Sequence, residues 1–101
     1  MATVFVTYKS NGEKFRFDRD YYESVHLPLC RKVWEKYGLV SSTGVYPKDE
    51  GDIVAVAVSE FRDQEAAVTA FGSPEGKEVM NDVVRYTDLT PSMLLGASFS
   101  G

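Results

Sequence analysis

The chain has one cysteine, one histidine and one tryptophan among its 101 residues. A single cysteine, Cys30, closes no internal disulfide, which suits a reducing compartment and predicts a cytoplasmic protein. One histidine and one cysteine are too few for a zinc site, and no HxxxE or CxxC spacing occurs, so no metal is expected. No glycine-rich phosphate loop or dinucleotide fingerprint is present, and no cofactor is expected. Lys and Arg form no basic patch and the formal charge is -4, so nucleic acid is not an expected partner. The opening run MATVFVTYK is too short for a signal peptide or a membrane-spanning helix, so no membrane partner is expected. Internal repeats and low-complexity segments are absent, and the length suits one domain, residues 1–101.

The segments that are present alternate in type. Thr3 to Tyr8 is rich in β-branched and aromatic residues and predicts a strand, with Asn11-Gly12 as a loop after it. Asp18 predicts a helix N-cap, and Phe17 and Tyr22 have the spacing of a hydrophobic staple. Tyr22, Val25, His26, Leu29 and Val33 then follow helical spacing, until Gly38 stops the helix. Leu39 to Tyr46 reads as a second strand, closed by Pro47 and a polar turn. Ile53 to Phe61 is the third. Asp63 caps a helix through Ala66, Ala67 and Phe71. Gly72 breaks it, and Ser73-Pro74 starts another with proline at the first helical position. Met93 to Phe99 reads as the last strand. The order β-α-β-β-α-β predicts an α+β fold, a ferredoxin-like antiparallel sheet with two helices on one face.

Such a sheet leaves its second face to solvent, and its strands should then alternate apolar and polar. They do not. In the third strand Ile53, Ala55, Ala57 and Phe61 share one face, while Val54, Val56 and Val58 share the other. The last strand is apolar on both. A second copy of the same sheet is the natural cover, so a homodimer through the open sheet face is expected.

Phe17 to Leu29, FDRDYYESVHLPL, concentrates the chemistry. His26 lies one turn after Tyr22 and points with the apolar stripe toward the sheet. Pro28 cannot donate to the carbonyl of Ser24 and its ring crowds it, so the helix should kink or open there. With Ala55, Ala57 and Ser59 small, room is expected between helix and sheet. His26 would stand at one wall of that space, and Phe17, Tyr22, Leu29 and Trp34 would line it, with Tyr8 or Tyr22 available to hold a substrate oxygen. A half-desolvated imidazole stays neutral near pH 7 and can take and return a proton. On spacing alone, however, a lone histidine on an apolar stripe reads first as a core residue with one satisfied hydrogen bond. Cys30 reads as a small buried hydrophobe. Asp18, Asp20, Asp63 and Asp82 read as caps and solvated surface, and Tyr8, Tyr21, Tyr22 and Tyr86 read first as packing, with any one able to hold a polar substrate group.

The run FDRDYYESVHLPL resembles the signature of the EthD family: a Phe-Asp opening the first helix, a Tyr pair, and a closing His-x-Pro-Leu. Phe71-Gly72-Ser73-Pro74-Glu75-Gly76, with Val79-Met80, Asp82-Val83 and Tyr86-Thr87-Asp88, resembles its second block. The resemblance implies a dimeric α+β barrel with a pocket between sheet and helices. It implies oxidoreductase, isomerase or cyclase chemistry without a cofactor on a small apolar carbonyl, lactone or aromatic compound. It makes His26 the proton-transfer residue. A non-catalytic accessory protein that binds such a compound is the competing expectation. Haem ligation by His26 is disfavoured, because no arginine cluster awaits the propionates.

Overall fold

The structure is a computed structural model that describes residues 1–48 and 51–99. Strand β1 is Ala2–Lys9, and a long helical rod follows. The rod comprises α1 (Arg19–Tyr21), a π-helical turn (Tyr22–His26), α2 (Leu27–Trp34) and a 3-10 turn (Glu35–Tyr37). Strands β2 (Leu39–Val45) and β3 (Ile53–Phe61) come next, then α3 (Gln64–Gly72), α4 (Pro74–Asp82), a 3-10 turn (Val83–Arg85) and β4 (Ser92–Ala97). The four strands form one antiparallel sheet in the order β2-β3-β1-β4. This is the expected ferredoxin-like α+β arrangement. The last strand ends two residues earlier than Met93 to Phe99 predicts, although the Ser98 amide still donates to the Met1 carbonyl at 2.8 Å. The centre of the polar turn expected after Pro47 lies outside the described residues.

The register separates two apolar faces. Val6 sits opposite Ala57, and Tyr8 opposite Ala55; all four are buried under the helices. Phe5 sits between Val58 and Leu94 on the other face, where Phe5 and Leu94 are exposed and Val58 is half-buried. Among the fully buried side chains are Tyr8, Tyr22, Tyr86 and Phe61. Each such ring contributes roughly 1.5–3 kcal/mol of apolar transfer before its ordering entropy is subtracted.

Local chemistry explains the helix ends. Asp18 accepts from the Tyr21 amide at 3.1 Å, Asp63 from the Ala66 amide at 2.7 Å, and Ser73 Oγ from the Gly76 amide at 3.0 Å. Gly38 takes the left-handed conformation that stops the rod, with φ at 104°. Pro28 acts as expected, by opening rather than kinking the helix. The Leu27 amide reaches back five residues to the Tyr22 carbonyl, which makes the π turn. Pro28 then falls in the first turn of α2, where its missing N–H costs little.

The wider turn changes which side chains are buried. An α-helical stripe counted from Tyr22 would include Val25, Leu29 and Val33. The extra residue turns the buried face to His26, which the expected stripe already holds, and on to Cys30 and Trp34 in place of Leu29 and Val33. Val25 is exposed, and Leu29 and Val33 are only half-buried. Among the described residues, no helix is long and apolar enough to cross a membrane.

Candidate functional site

His26 is the last residue of the π turn and is 4% exposed. Its ring stacks on Tyr22 at 5.8 Å between centroids and lies 4.6 Å from the Tyr86 ring. Its Nδ1 lies 3.0 Å from Oδ2 of Asp82, the last residue of α4, which is 7% exposed. A carboxylate only accepts, so Nδ1 carries the proton and donates. That sets the tautomer and leaves Nε2 as a bare acceptor. Among the described residues its one hydrogen-bonding neighbour is the Cys30 thiol, a weak donor, with Sγ 3.6 Å away. Burial pushes that thiol up to about 12, so it stays protonated and is no nucleophile. Asp82 Oδ1 in turn accepts from the Tyr21 hydroxyl at 2.8 Å and faces Arg85 Nε at 3.6 Å. A base oriented by a buried carboxylate, its second nitrogen unprotonated and met only by a weak donor, is the arrangement that general-base chemistry needs.

Asp82 is therefore not the solvated residue that the sequence suggests. Its partner is 56 residues away in the chain, beyond any local pattern. A signal was nonetheless there. Val79, Asp82, Val83 and Tyr86 recur at helical spacing, and all four are buried. A carboxylate inside an apolar stripe needs a partner.

The space between helix and sheet is smaller than expected. A cavity of about 20 Å³, room for one oxygen-sized group, lies against His26 and is lined by Tyr8, Trp34, Cys30, Ser42 and Ser59 among others. The small residues of β3 do leave room, but tyrosine rings take it up: Tyr8 lies opposite Ala55, and its hydroxyl bonds that of Tyr86. Tyr8, His26 and Trp34 thus meet at the cavity. Phe17 and Tyr22 do not line it; they belong to the ring cluster beside it, 5.0 Å apart. Leu29 faces outward, toward a surface groove on the far side of Asp82. Ser42, Ser59 and Cys30 join the site with no motif to mark them. No three His, Cys, Asp or Glu side chains converge among the described residues to hold a metal ion.

The electrostatics carry a prediction. Burial disfavours the imidazolium more than Asp82 favours it, so the His26 pKa lies below its ordinary 6.5. As pH falls, the unfolded chain takes up this proton first. The site's contribution to stability is complete above 6.5 and is lost as pH drops below that value toward the folded pKa. The melting temperature of His26→Gln is expected to fall less than that of the wild type between about pH 7.5 and about pH 5.5. An equal or steeper fall overturns the assignment.

Comparison with known proteins matches this architecture. The EthD domain family matches residues 11–90, which contain both members of the His26–Asp82 pair. The crystal structure of an EthD-like protein from Ralstonia eutropha JMP134 is 25% identical, with a TM-score of 0.78 over 94% of this chain and 88% of that one. An ethyl tert-butyl ether degradation (EthD) family protein from Bacillus halodurans C-125 is 20% identical, with a TM-score of 0.73 over 98% and 99%. SnoaB, a cofactor-independent oxygenase from Streptomyces nogalater, is 16% identical and shares the fold, with a TM-score of 0.69 over 99% and 95%. Among curated proteins none matches. Fold, signature and matched span agree, and the chain belongs to the EthD family.

Proposed function

We propose that this protein binds a small, mostly apolar carbonyl, lactone or aromatic compound at the helix–sheet cavity, and that His26 moves a proton on it without a cofactor. The observation that carries this reading is His26 at the cavity, with Nδ1 held by buried Asp82 and Nε2 met only by the weakly donating Cys30 thiol among the described residues. A neutral imidazole so held can take a proton from a carbon beside a carbonyl and return it elsewhere, the step common to isomerisation and cyclisation. Asp82 stabilises the imidazolium formed on the way. SnoaB, which carries out oxygenation without a cofactor on the same fold, is consistent with such chemistry. Half-buried Leu27 and Met80 stand at the cavity's rim and would move to admit a ring.

The test is deuterium uptake from heavy water into 2-tetralone and α-angelica lactone, followed by NMR. His26→Ala is expected to lower the protein-dependent rate by about 10³-fold. Uptake that persists in a folded His26→Ala variant ends the proposal. Binding with no uptake by the wild type leaves the accessory role.

The second part of the reading is a homodimer through the open sheet face, where Phe5 and Leu94 are 38% and 65% exposed beside Val54, Val56 and Val58. A monomeric mass by light scattering at micromolar concentration removes it. Leu94→Lys is expected to produce that mass, because it places a charge on the apolar face beside Phe5.

A further inference from the structure

The cavity's wall carries a buried donor with no acceptor. Trp34 is 3% exposed and lines the cavity, yet its Nε1–H, which can only donate, has no partner. The Ser42 and Ser59 hydroxyls face one another at 3.3 Å. Two hydroxyls bring two hydrogens to one bond, so one hydrogen is left over. Tyr8 and Tyr86 pair in the same way, and Tyr8 lines the cavity. On the same wall His26 Nε2 is an acceptor that meets only the Cys30 thiol, a weak donor, among the described residues. Among the described residues, no lysine, arginine or carboxylate lines the cavity.

We infer that this cavity is an oxyanion seat: Trp34 and the Ser42–Ser59 pair bind the oxygen of a neutral ketone or lactone whose adjacent C–H faces His26. The inference rests on the proton-transfer reading and gives its substrate a definite chemistry. A buried indole N–H without a partner costs stability, and a ligand oxygen that accepts from it removes that cost. The volume fits one oxygen and no ring, so the carbon skeleton stays at the rim while the carbonyl enters. A carboxylate would bring a full charge to a wall with no cation, which disfavours acids.

The step balances without a further reactant. The C–H proton passes to Nε2 and makes an imidazolium opposite Asp82. The C–H electron pair forms the enolate double bond, and the carbonyl pair moves to oxygen, where Trp34 and the serine hydroxyl donate to it. Reprotonation at carbon restores the imidazole. Trp34 is in this scheme a catalytic residue, since it touches the atom on which charge develops.

Trp34 is the sole tryptophan, so the protein has a single indole N–H resonance. The experiment titrates ¹⁵N-labelled protein with three probes of one skeleton: 2-tetralone, tetralin, and tetralin-2-carboxylate. The indole proton is expected to move downfield with 2-tetralone and to stay in place with the other two. Trp34→Phe is expected to slow deuterium uptake by about 100-fold, the loss typical of one oxyanion donor. Ser59→Ala is expected to slow it less, because Ser42 keeps its hydroxyl. Equal shifts with ketone and hydrocarbon overturn the inference, as does a Trp34→Phe variant at wild-type rate. If His26-dependent uptake survives such a result, the proton-transfer reading stands without the seat. If the indole responds to the ketone while the wild type shows no uptake, the seat stands as a binding site and the catalytic reading falls.

Discussion

Replacing Asp82 with asparagine is expected to slow His26-dependent proton transfer by about 10³- to 10⁴-fold while the fold stays in place. The reason lies in the donors around the carboxylate. The Tyr21 hydroxyl donates to Oδ1 and Arg85 Nε faces the same oxygen, so that position must remain an acceptor. The substituted amide would therefore keep its oxygen there and turn its NH₂ toward His26. Nδ1 would then accept instead of donating, and the ring proton would move to Nε2. A base with its free nitrogen protonated takes no proton from substrate. Uptake of deuterium into 2-tetralone gives the rate, and ¹⁵N shifts of the imidazole give the tautomer. An Asp82→Asn variant with an unchanged rate removes Asp82 from the mechanism. A lowered rate with Nδ1 still protonated replaces the tautomer argument with a loss of charge.

The second large effect concerns Gly76, on a different physical ground. α4 begins where the last turn of α3 ends, and Ser73 ties the two: its hydroxyl donates to the Ala70 carbonyl at 2.6 Å and accepts from the Gly76 amide. A methyl group on Gly76 would lie 2.4 Å from the Ala70 oxygen and 3.0 Å from that of Phe71. Both are backbone atoms that no rotamer change can move aside. Gly76→Ala is expected to cost about 3 kcal/mol, the upper part of the range for an overpacked site. In a domain of this size that lowers the melting temperature by roughly 12–24 °C. Since Val79 and Asp82 ride on the same helix, any shift of α4 that relieves the clash also draws the carboxylate off His26. A melting temperature within a few degrees of wild type would show that the helices part without cost. Gly72→Ala is the control, because nothing lies within 4 Å of the position its methyl would take.

The elements legible in the sequence were those whose cause is local. Asp18, Asp63 and Ser73 cap helices because their side chains reach amides three residues away, and such spacing can be read along a line. Pro28 announced an irregularity for the same reason, although whether the helix would bend or widen depended on the sheet beneath it. The two-faced apolarity of Ile53 to Phe61 was equally readable. Features made by residues distant in sequence were hidden. Asp82 looked like surface because its partner is on another helix. The size of the cavity escaped because Ala55 and Ala57 advertise room, while the rings of Tyr8 and Tyr86 that occupy it come from other elements. Ser42 and Ser59 meet only through the pairing of β2 with β3.

The π turn also bears on how this protein tolerates change. Glu23, Ser24 and Val25 are exposed, so the surplus residue bulges into solvent and leaves the buried stripe undisturbed. Counted without one of them, His26, Cys30 and Trp34 fall three, seven and eleven places after Tyr22, the rhythm of an unbroken α-helix. The turn is thus an insertion that the helix absorbs without rotating its cargo. What the insertion protects is Pro28. Close the turn by deleting Ser24, and the proline ring again meets a carbonyl one α-turn back, at a cost of about 3 kcal/mol. The surplus residue and the proline form a matched pair, and a lineage could lose both more easily than either one.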